Sequence, residues 1–339
     1  MMLCASVVRA QPSVAVIDTD SGLFGDDGAA VVMMLRSPGK VVVPGIVVTP
    51  GNLWAAQGAE YMFHILDLLG RPDLPLHTGA AGPLVHTAAM SREAARRWGG
   101  LEYTGAFALD PEEVKPAVGA ALTRRKARGD AVQFLIDEIE KQPGRVTILE
   151  LAPMTNLALA LRLRPDIETK IQRVVFMGGN LAVAGNASAA AEFNFWFDPE
   201  AARIVLRSRI PEKVMFGLDV CNTAPIRKAQ FDDIAPAGTP IANLFREDLG
   251  NRYPGFLKNP NGTAYMWDSL AAGYLLAPEI VTRSGTRYLD ADAAWGKTYG
   301  AAIALNRAAV PEATPVRVML EIDYRKAFAL YRTLLTQRD

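Results

Sequence analysis

Cysteine, histidine and net charge are all scarce in this chain, and each scarcity removes a class of function. Cys4 and Cys221 are the only cysteines among 339 residues, and neither has a CxxC partner, so nothing supports a disulfide framework, a structural zinc site or dithiol redox chemistry. Lys+Arg and Asp+Glu both number 36, and no long block of one sign occurs, which argues against a nucleic-acid surface. No apolar run reaches membrane-spanning length, so no membrane partner is expected. The start, MMLCASVVRAQ, is apolar but short and lacks a basic beginning. Residues 1–12 are set apart as a tail that a signal remnant would explain, which leaves cytoplasm, periplasm and export all open.

What the chain does have is acid in one place. Residues 17–30, IDTDSGLFGDDGAA, follow the apolar run Val14–Ile17 and carry Asp18, Asp20, Asp26 and Asp27 around a glycine-rich turn. Like charges this close repel unless a cation or a substrate donor lies between them. Asp18 and Asp20 share a strand face by the period of two, and Gly22 and Gly25 let the backbone fold back to aim Asp26 and Asp27 at the same point. The spacing predicts a hard-metal site at a strand end; a solvated acidic turn after an edge strand is the bland alternative.

With half the residues hydrophobic, one large domain is expected over 13–339. A helix follows the acidic turn over Gly28–Leu35. KVVVPGIVV (residues 40–48) reads as a strand buried on both faces, placing Asn52 at a second strand end. Helical spacing over 54–69, a short strand over Leu74–Leu76, a helix from Asp130 to Lys141, and strands Val146–Leu151, Arg173–Met177 and Lys213–Leu218 complete an alternation that predicts a mostly parallel α/β sheet. Residues 84–129 read as a long irregular stretch ending in a basic, solvated segment, Arg124–Lys126 with Arg128. Glu192 and Asn194 share a face if NASAAAEFNFWFDP is extended. Helices are expected at 239–250, 265–276, where Trp267 and Asp268 stand near the start, and 324–335. Strand ends that deliver glycine, proline and polar residues fit a ligand lying across the carboxyl edge of the sheet.

Taken in order, Asp20, Asp26, Asp27, Asn52, Glu192, Asn194 and Asp268 resemble the nucleoside hydrolase family, calcium-dependent N-ribohydrolases. Its Asp-x-Asp-Pro-Gly-x-Asp-Asp signature stands here as Asp18 to Asp27; Gly-Asn as Gly51-Asn52; Gly-Pro-Leu-Thr-Asn as Ala152 to Asn156. Met-Gly-Gly is Met177 to Gly179, Ala-Glu-Phe-Asn with Asp-Pro-Glu-Ala-Ala is Ala191 to Asn194 with Asp198 to Ala202, and Gly-Leu-Asp-Val is Gly217 to Val220. Six blocks in register cover most of the chain, whereas one acidic motif alone would be weak evidence.

The resemblance implies a Rossmann-like single domain with the site at the carboxyl ends of its strands. It implies calcium held by Asp20, Asp27, Asp268 and the main-chain carbonyl of Leu151, with Asp18 supporting them from behind. Asp26 and Asn194 would hold the ribose 2′- and 3′-hydroxyls with Asn52 nearby, and Asn186 and Glu192 the 5′-hydroxyl. A water acidified by calcium would give its proton to Asp20 and attack the anomeric carbon, while carboxylates stabilise the cation-like ribose. Members that accept inosine and uridine place a histidine before the last aspartate; here that residue is Trp267, and none of the three histidines matches a site block. Trp267 resembles the purine-preferring branch, and Trp98 is read as a second indole face for the base. A small nucleoside is the expected partner, and homodimers or homotetramers are expected by analogy.

Two departures stand out: Ser21 replaces the signature proline, and two extra residues, read as Leu23 and Phe24, lie between Asp20 and Asp26. They loop out or narrow the ribose pocket. A riboside-binding protein that keeps the calcium pocket without turnover is therefore the main rival. A magnesium phosphohydrolase using Asp-x-Asp ranks lower, because it leaves the Asn186–Asn194 block without a role.

Overall fold

The computed structural model describes residues 11–20, 26–101, 106–107, 113–117, 119–252, 262–307, 310 and 313–338. The strands are β1 (Ser13–Thr19), β2 (Val41–Val42), β3 (Ile46–Val48), β4 (Leu76–Thr78), β5 (Val146–Glu150), β6 (Ile171–Met177), β7 (Lys213–Phe216), β8 (Pro225–Ile226), β9 (Ala264–Tyr265), β10 (Val281–Ala291), β11 (Ala302–Ala304) and β12 (Pro315–Ile322). The helices are α1 (Asp27–Leu35), α2 (Ala55–Leu68), α3 (Ala88–Trp98), α4 (Ala131–Lys141), α5 (Thr155–Leu163), α6 (Phe193–Phe197), α7 (Pro199–Arg207), α8 (Leu218–Cys221), α9 (Lys228–Ile234), α10 (Pro240–Arg252), α11 (Trp267–Leu276) and α12 (Tyr324–Thr336).

One sheet runs β11-β10-β12-β7-β6-β5-β1-β3-β4, with β2 also on β1; β8 and β9 form a separate hairpin-like pair. From β12 through β7 to β4 every pairing is parallel, while β10 is antiparallel to β12 and to β11. This matches the expected α/β domain with a largely parallel sheet. Its apolar strands are covered on both faces: α1, α2, α11 and α12 pack over Ile17, Leu149 and Val175, and α4, α5 and α7 over Val16, Ile148 and Val174.

The structure differs from the sequence reading in four places. KVVVPGIVV is two short strands rather than one, because Pro44-Gly45 interrupts it and Val42 is half exposed. Residues 88–98 form a helix inside the stretch read as irregular, capped by the Thr87 side chain. The Glu192–Asn194 segment is helical, not extended, because Glu192 caps α6. The antiparallel strands β10 and β12 carried no sequence reading: the first seven residues of β10, VTRSGTR, are mostly polar and none of them is buried, so no apolar run marks a strand there.

Candidate active site

The carboxyl ends of β1, β3, β5 and β6 meet at one edge of the sheet, and polar residues fasten them together. Asp18 accepts a hydrogen bond from the Thr49 hydroxyl at 2.6 Å, and Thr49 in turn accepts one from the Asn156 amide at 2.6 Å. The Asn156 carbonyl receives the Ala80 N–H at 2.9 Å, which ties in the loop after β4. Asp20 accepts from both the backbone N–H (2.6 Å) and the side-chain amide (3.0 Å) of Asn52. Gly51 is required here, since a Cβ on it would lie 2.1 Å from Asp20 Oδ2.

Asp26 caps α1 by accepting the Asp27 N–H at 3.0 Å, and the Thr19 hydroxyl donates to Asp27. Asp268 enters from the first turn of α11, which packs on α1. Asp26, Asp27 and Asp268 each offer an oxygen within 4.8 Å of the others, a spacing a single cation can bridge. Asp27 Oδ2 is buried without a hydrogen-bond partner among the described residues, so the cluster has unmet demand for positive charge.

Burial dominates the electrostatics. It pushes the Asp18 and Asp20 carboxyls up to about 7, partly offset by the bonds from Thr49 and Asn52. Asp27 and Asp268 are raised well above the usual range by burial and by their acidic neighbours. A divalent cation reverses that preference, because it favours the ionised oxygens that burial disfavours. The donor set therefore fits a hard cation.

The remaining sequence-selected residues surround this centre. The Asn194 amide donates to the carbonyls of Leu151 (3.0 Å) and Met177 (3.1 Å), so Leu151 and Asn194 are brought together at the β5–β6 edge. Glu192 is buried, and its carboxylate takes the backbone N–H groups of Gly179, Asn194 and Phe195. Asn186 is exposed on the preceding loop and accepts the Phe193 N–H at 2.8 Å. Trp267 and Trp98 share no ring contact: Trp267 lies 5.5 Å from Tyr265, and Trp98 lies 5.5 Å from Trp295. Leu23 and Phe24 fall outside the described residues.

Each histidine is engaged elsewhere: His64 on α2, His77 with Asp130 at 2.5 Å, and His86 among Trp196, Tyr299 and Ser91. Arg125 of the basic segment is not simply solvated; it bonds Phe63 O, Pro72 O and Asp67 and lies over the Phe63 ring. One acid went unread in the sequence. Glu150 is fully buried with both oxygens unpartnered, and its signal was a carboxylate ending the apolar strand VTILE.

The carboxyl edge of a largely parallel α/β sheet thus carries buried acids spaced to gather a cation. Residues 15–329 match the family described as inosine-uridine preferring nucleoside hydrolase. The chain is 34% identical to the pyrimidine-specific ribonucleoside hydrolase RihA of Salmonella paratyphi B over 275 residues, covering 79% of this chain and 80% of that one; RihA of Salmonella typhi matches to the same extent. Among solved structures, a purine-preferring ribonucleoside hydrolase from Gardnerella vaginalis superposes with a TM-score of 0.76 at 25% identity, over 95% of this chain and 98% of that one. The plant nucleoside hydrolase PpNRh1 shares the fold, with a TM-score of 0.80 at 22% identity over 96% of this chain and 100% of that one. The protein belongs to the inosine-uridine preferring nucleoside hydrolase family. That family membership makes it a hydrolase acting on N-glycosyl bonds of small nucleosides.

Proposed function

We propose that this protein is a calcium-dependent ribonucleoside hydrolase that prefers purine nucleosides. The observation that carries the reading is the gathering of Asp26, Asp27 and Asp268 at one strand edge, beside Asp20 and the Asn194 amide. Asp20, Asp27, Asp268 and the Leu151 carbonyl would hold the ion, with Asp26 close enough to join them or to take a ribose hydroxyl. Bound calcium supplies positive charge for the vicinal sugar hydroxyls and makes an attacking water more acidic.

Asp20 takes the proton from that water. Two hydrogen bonds from Asn52 fix the orientation of its carboxylate, and ionised beside the cation it accepts that proton. Asn194 and Asp26 orient the 2′- and 3′-hydroxyls, with Asn52 nearby; Asn186 and Glu192 face the 5′ end. As the glycosidic bond stretches, the buried carboxylates stabilise positive charge on the ribose. Asp18 acts from behind through Thr49.

The two sets of relatives point to different bases. RihA is named pyrimidine-specific and the Gardnerella vaginalis hydrolase purine-preferring. The residues favour purines, because Trp267 stands before Asp268 and no histidine bonds to the acid cluster, which leaves stacking as the means of activating the base. Trp98 ends α3 against Trp295, so Trp267 is the indole on which this reading rests. A panel of purine and pyrimidine nucleosides, assayed for free base with and without chelator, tests the reading. Chelator-sensitive release favouring inosine or guanosine supports it; uridine turned over as fast as inosine removes the purine preference, and binding without release makes the protein a riboside-binding protein. Assembly into dimers or tetramers belongs to the same reading and is measured by sedimentation.

A further inference from the structure

A second pocket, of about 330 Å³, opens where the end of α3, the start of α6 and the turn between β10 and β11 converge. None of the catalytic carboxylates lines it. Its walls are Trp98, Trp196, Trp295 and Tyr299, and its rim carries Arg97 and Lys297. Trp196 and Tyr299 belong to a small buried cluster behind the cavity, which leaves Trp98 and Trp295 as the more open rings. Trp295 keeps 38% of its surface exposed, a costly arrangement for the largest apolar side chain unless something lies on it.

The aromatic wall is built before any ligand arrives. Trp295 packs against Trp98 at 5.5 Å and 56° and edge-on against Tyr299 at 5.2 Å and 69°, so its ring is held in place and the three rings form a corner rather than a flat sheet. His86 braces the back: it bonds the carbonyls of Trp196 and Phe197 and the Ser91 hydroxyl, and burial lowers its pKa to about 4, so it adds no charge. The Leu101 N–H donates to Ala187 O at 2.7 Å, which fixes the floor beside the Gly99-Gly100 turn.

At the rim the charge is one-sided. Arg97 is held by Glu93 at 2.6 Å one helical turn away, whereas Lys297 makes no ion pair among the described residues. Flat electron-rich faces next to a free ammonium suit a heteroaromatic ring that carries an anion. The volume lies at the lower end of small-ligand pockets, which limits the ligand to about the size of a mononucleotide.

We propose that this pocket binds a mononucleotide, its base stacked on the open face of Trp295 with Trp98 as a side wall and its phosphate against Lys297 and Arg97. The site takes a phosphorylated relative of the compounds the family hydrolyses and holds it away from the carboxylates, which repel a phosphate.

Calorimetric titration of the calcium-loaded, full-length Asp20→Asn protein with AMP, adenosine and ribose 5-phosphate tests this. AMP is expected to bind, with its affinity reduced at least about ten-fold by Trp295→Ala and by Lys297→Glu, each variant retaining the parent thermal midpoint. Adenosine binding at the carboxylates should be the same in both variants, and ribose 5-phosphate, which has no base, should bind far more weakly than AMP. Absence of AMP binding, AMP binding untouched by both substitutions, or AMP binding lost in Asp268→Asn but kept in Trp295→Ala overturns the proposal. Lys297 is exposed, so Lys297→Glu decides the matter even if Trp295→Ala misfolds. Failure of the wild-type protein to release base from any nucleoside would refute the hydrolase reading while leaving this titration intact.

Discussion

Asp18 and Glu150 are register partners on the neighbouring parallel strands β1 and β5, and both are fully buried. Thr49 bonds one Asp18 oxygen, but Asp18 Oδ2 and both Glu150 oxygens have no hydrogen-bond partner among the described residues. Side-by-side carboxyls in a dry layer resist ionising together, and burial with the nearby Asp18 and Asp20 raises Glu150 well above the usual carboxylate range.

Replacing Glu150 by Gln removes one of these buried acids at nearly constant volume. The thermal midpoint of the metal-free protein should rise, by about 2–4 °C for each kcal/mol of repulsion and desolvation relieved. Scanning fluorimetry in chelator measures it, and a lower midpoint would mean that Glu150 has a stabilising partner.

The raised carboxyls also set how stability depends on pH. Asp18 and Asp20 move from an ordinary value of 3.8 up to about 7, so between those limits the folded protein holds protons that the unfolded chain has released. Metal-free stability should therefore fall as pH rises from about 4 to about 7. Calcium binds the ionised form, so adding it should restore stability at pH 7 and above and release protons as it binds. Thermal midpoints at pH 5 and 8, with calcium or chelator, test both signs.

Asp20→Asn keeps the shape and one of the two hydrogen bonds from Asn52 but removes the base. Turnover should fall by about 10²–10⁴-fold while the circular dichroism spectrum stays unchanged. Wild-type activity in that variant would remove Asp20 from the reaction.

Gly51 lies directly against Asp20. In Gly51→Ala the new Cβ would lie 2.1 Å from Asp20 Oδ2, so the carboxylate must move, and a shift near 1 Å should lower kcat by about 100-fold. Steady-state kinetics on purified protein would show it, with Asn52→Ala as a milder comparison.

Thr49→Val breaks the bonds that link Asp18 to Asn156 across β1, β3 and α5. Leaving those groups unsatisfied should cost about 1–3 kcal/mol in denaturant unfolding. A change within error would show that water replaces the hydroxyl.

Much of the site was legible in the primary structure because its parts are local. Asp18, Asp20, Asp26 and Asp27 lie within ten residues, and Gly51-Asn52 marks a strand end whatever the fold. The parallel core was legible too, since strands buried on both faces read as continuous apolar runs. Boundaries were missed where capping decided them: Glu192 turns a segment with extended spacing into helix α6 by taking the Asn194 and Phe195 N–H groups.

By itself the sequence determined the acid turn, the alternation of strands and helices, and the absence of a histidine before Asp268, because each depends on neighbours in the chain. Only the tertiary structure decided that Asp268, 241 residues beyond Asp27 in the numbering, shares a cation-sized space with it; that Glu150 lies beside Asp18; and that Trp98 leans on Trp295. Those relationships depend on strand register and on how helices pack over the sheet, and no local pattern encodes which distant side chains that packing brings together.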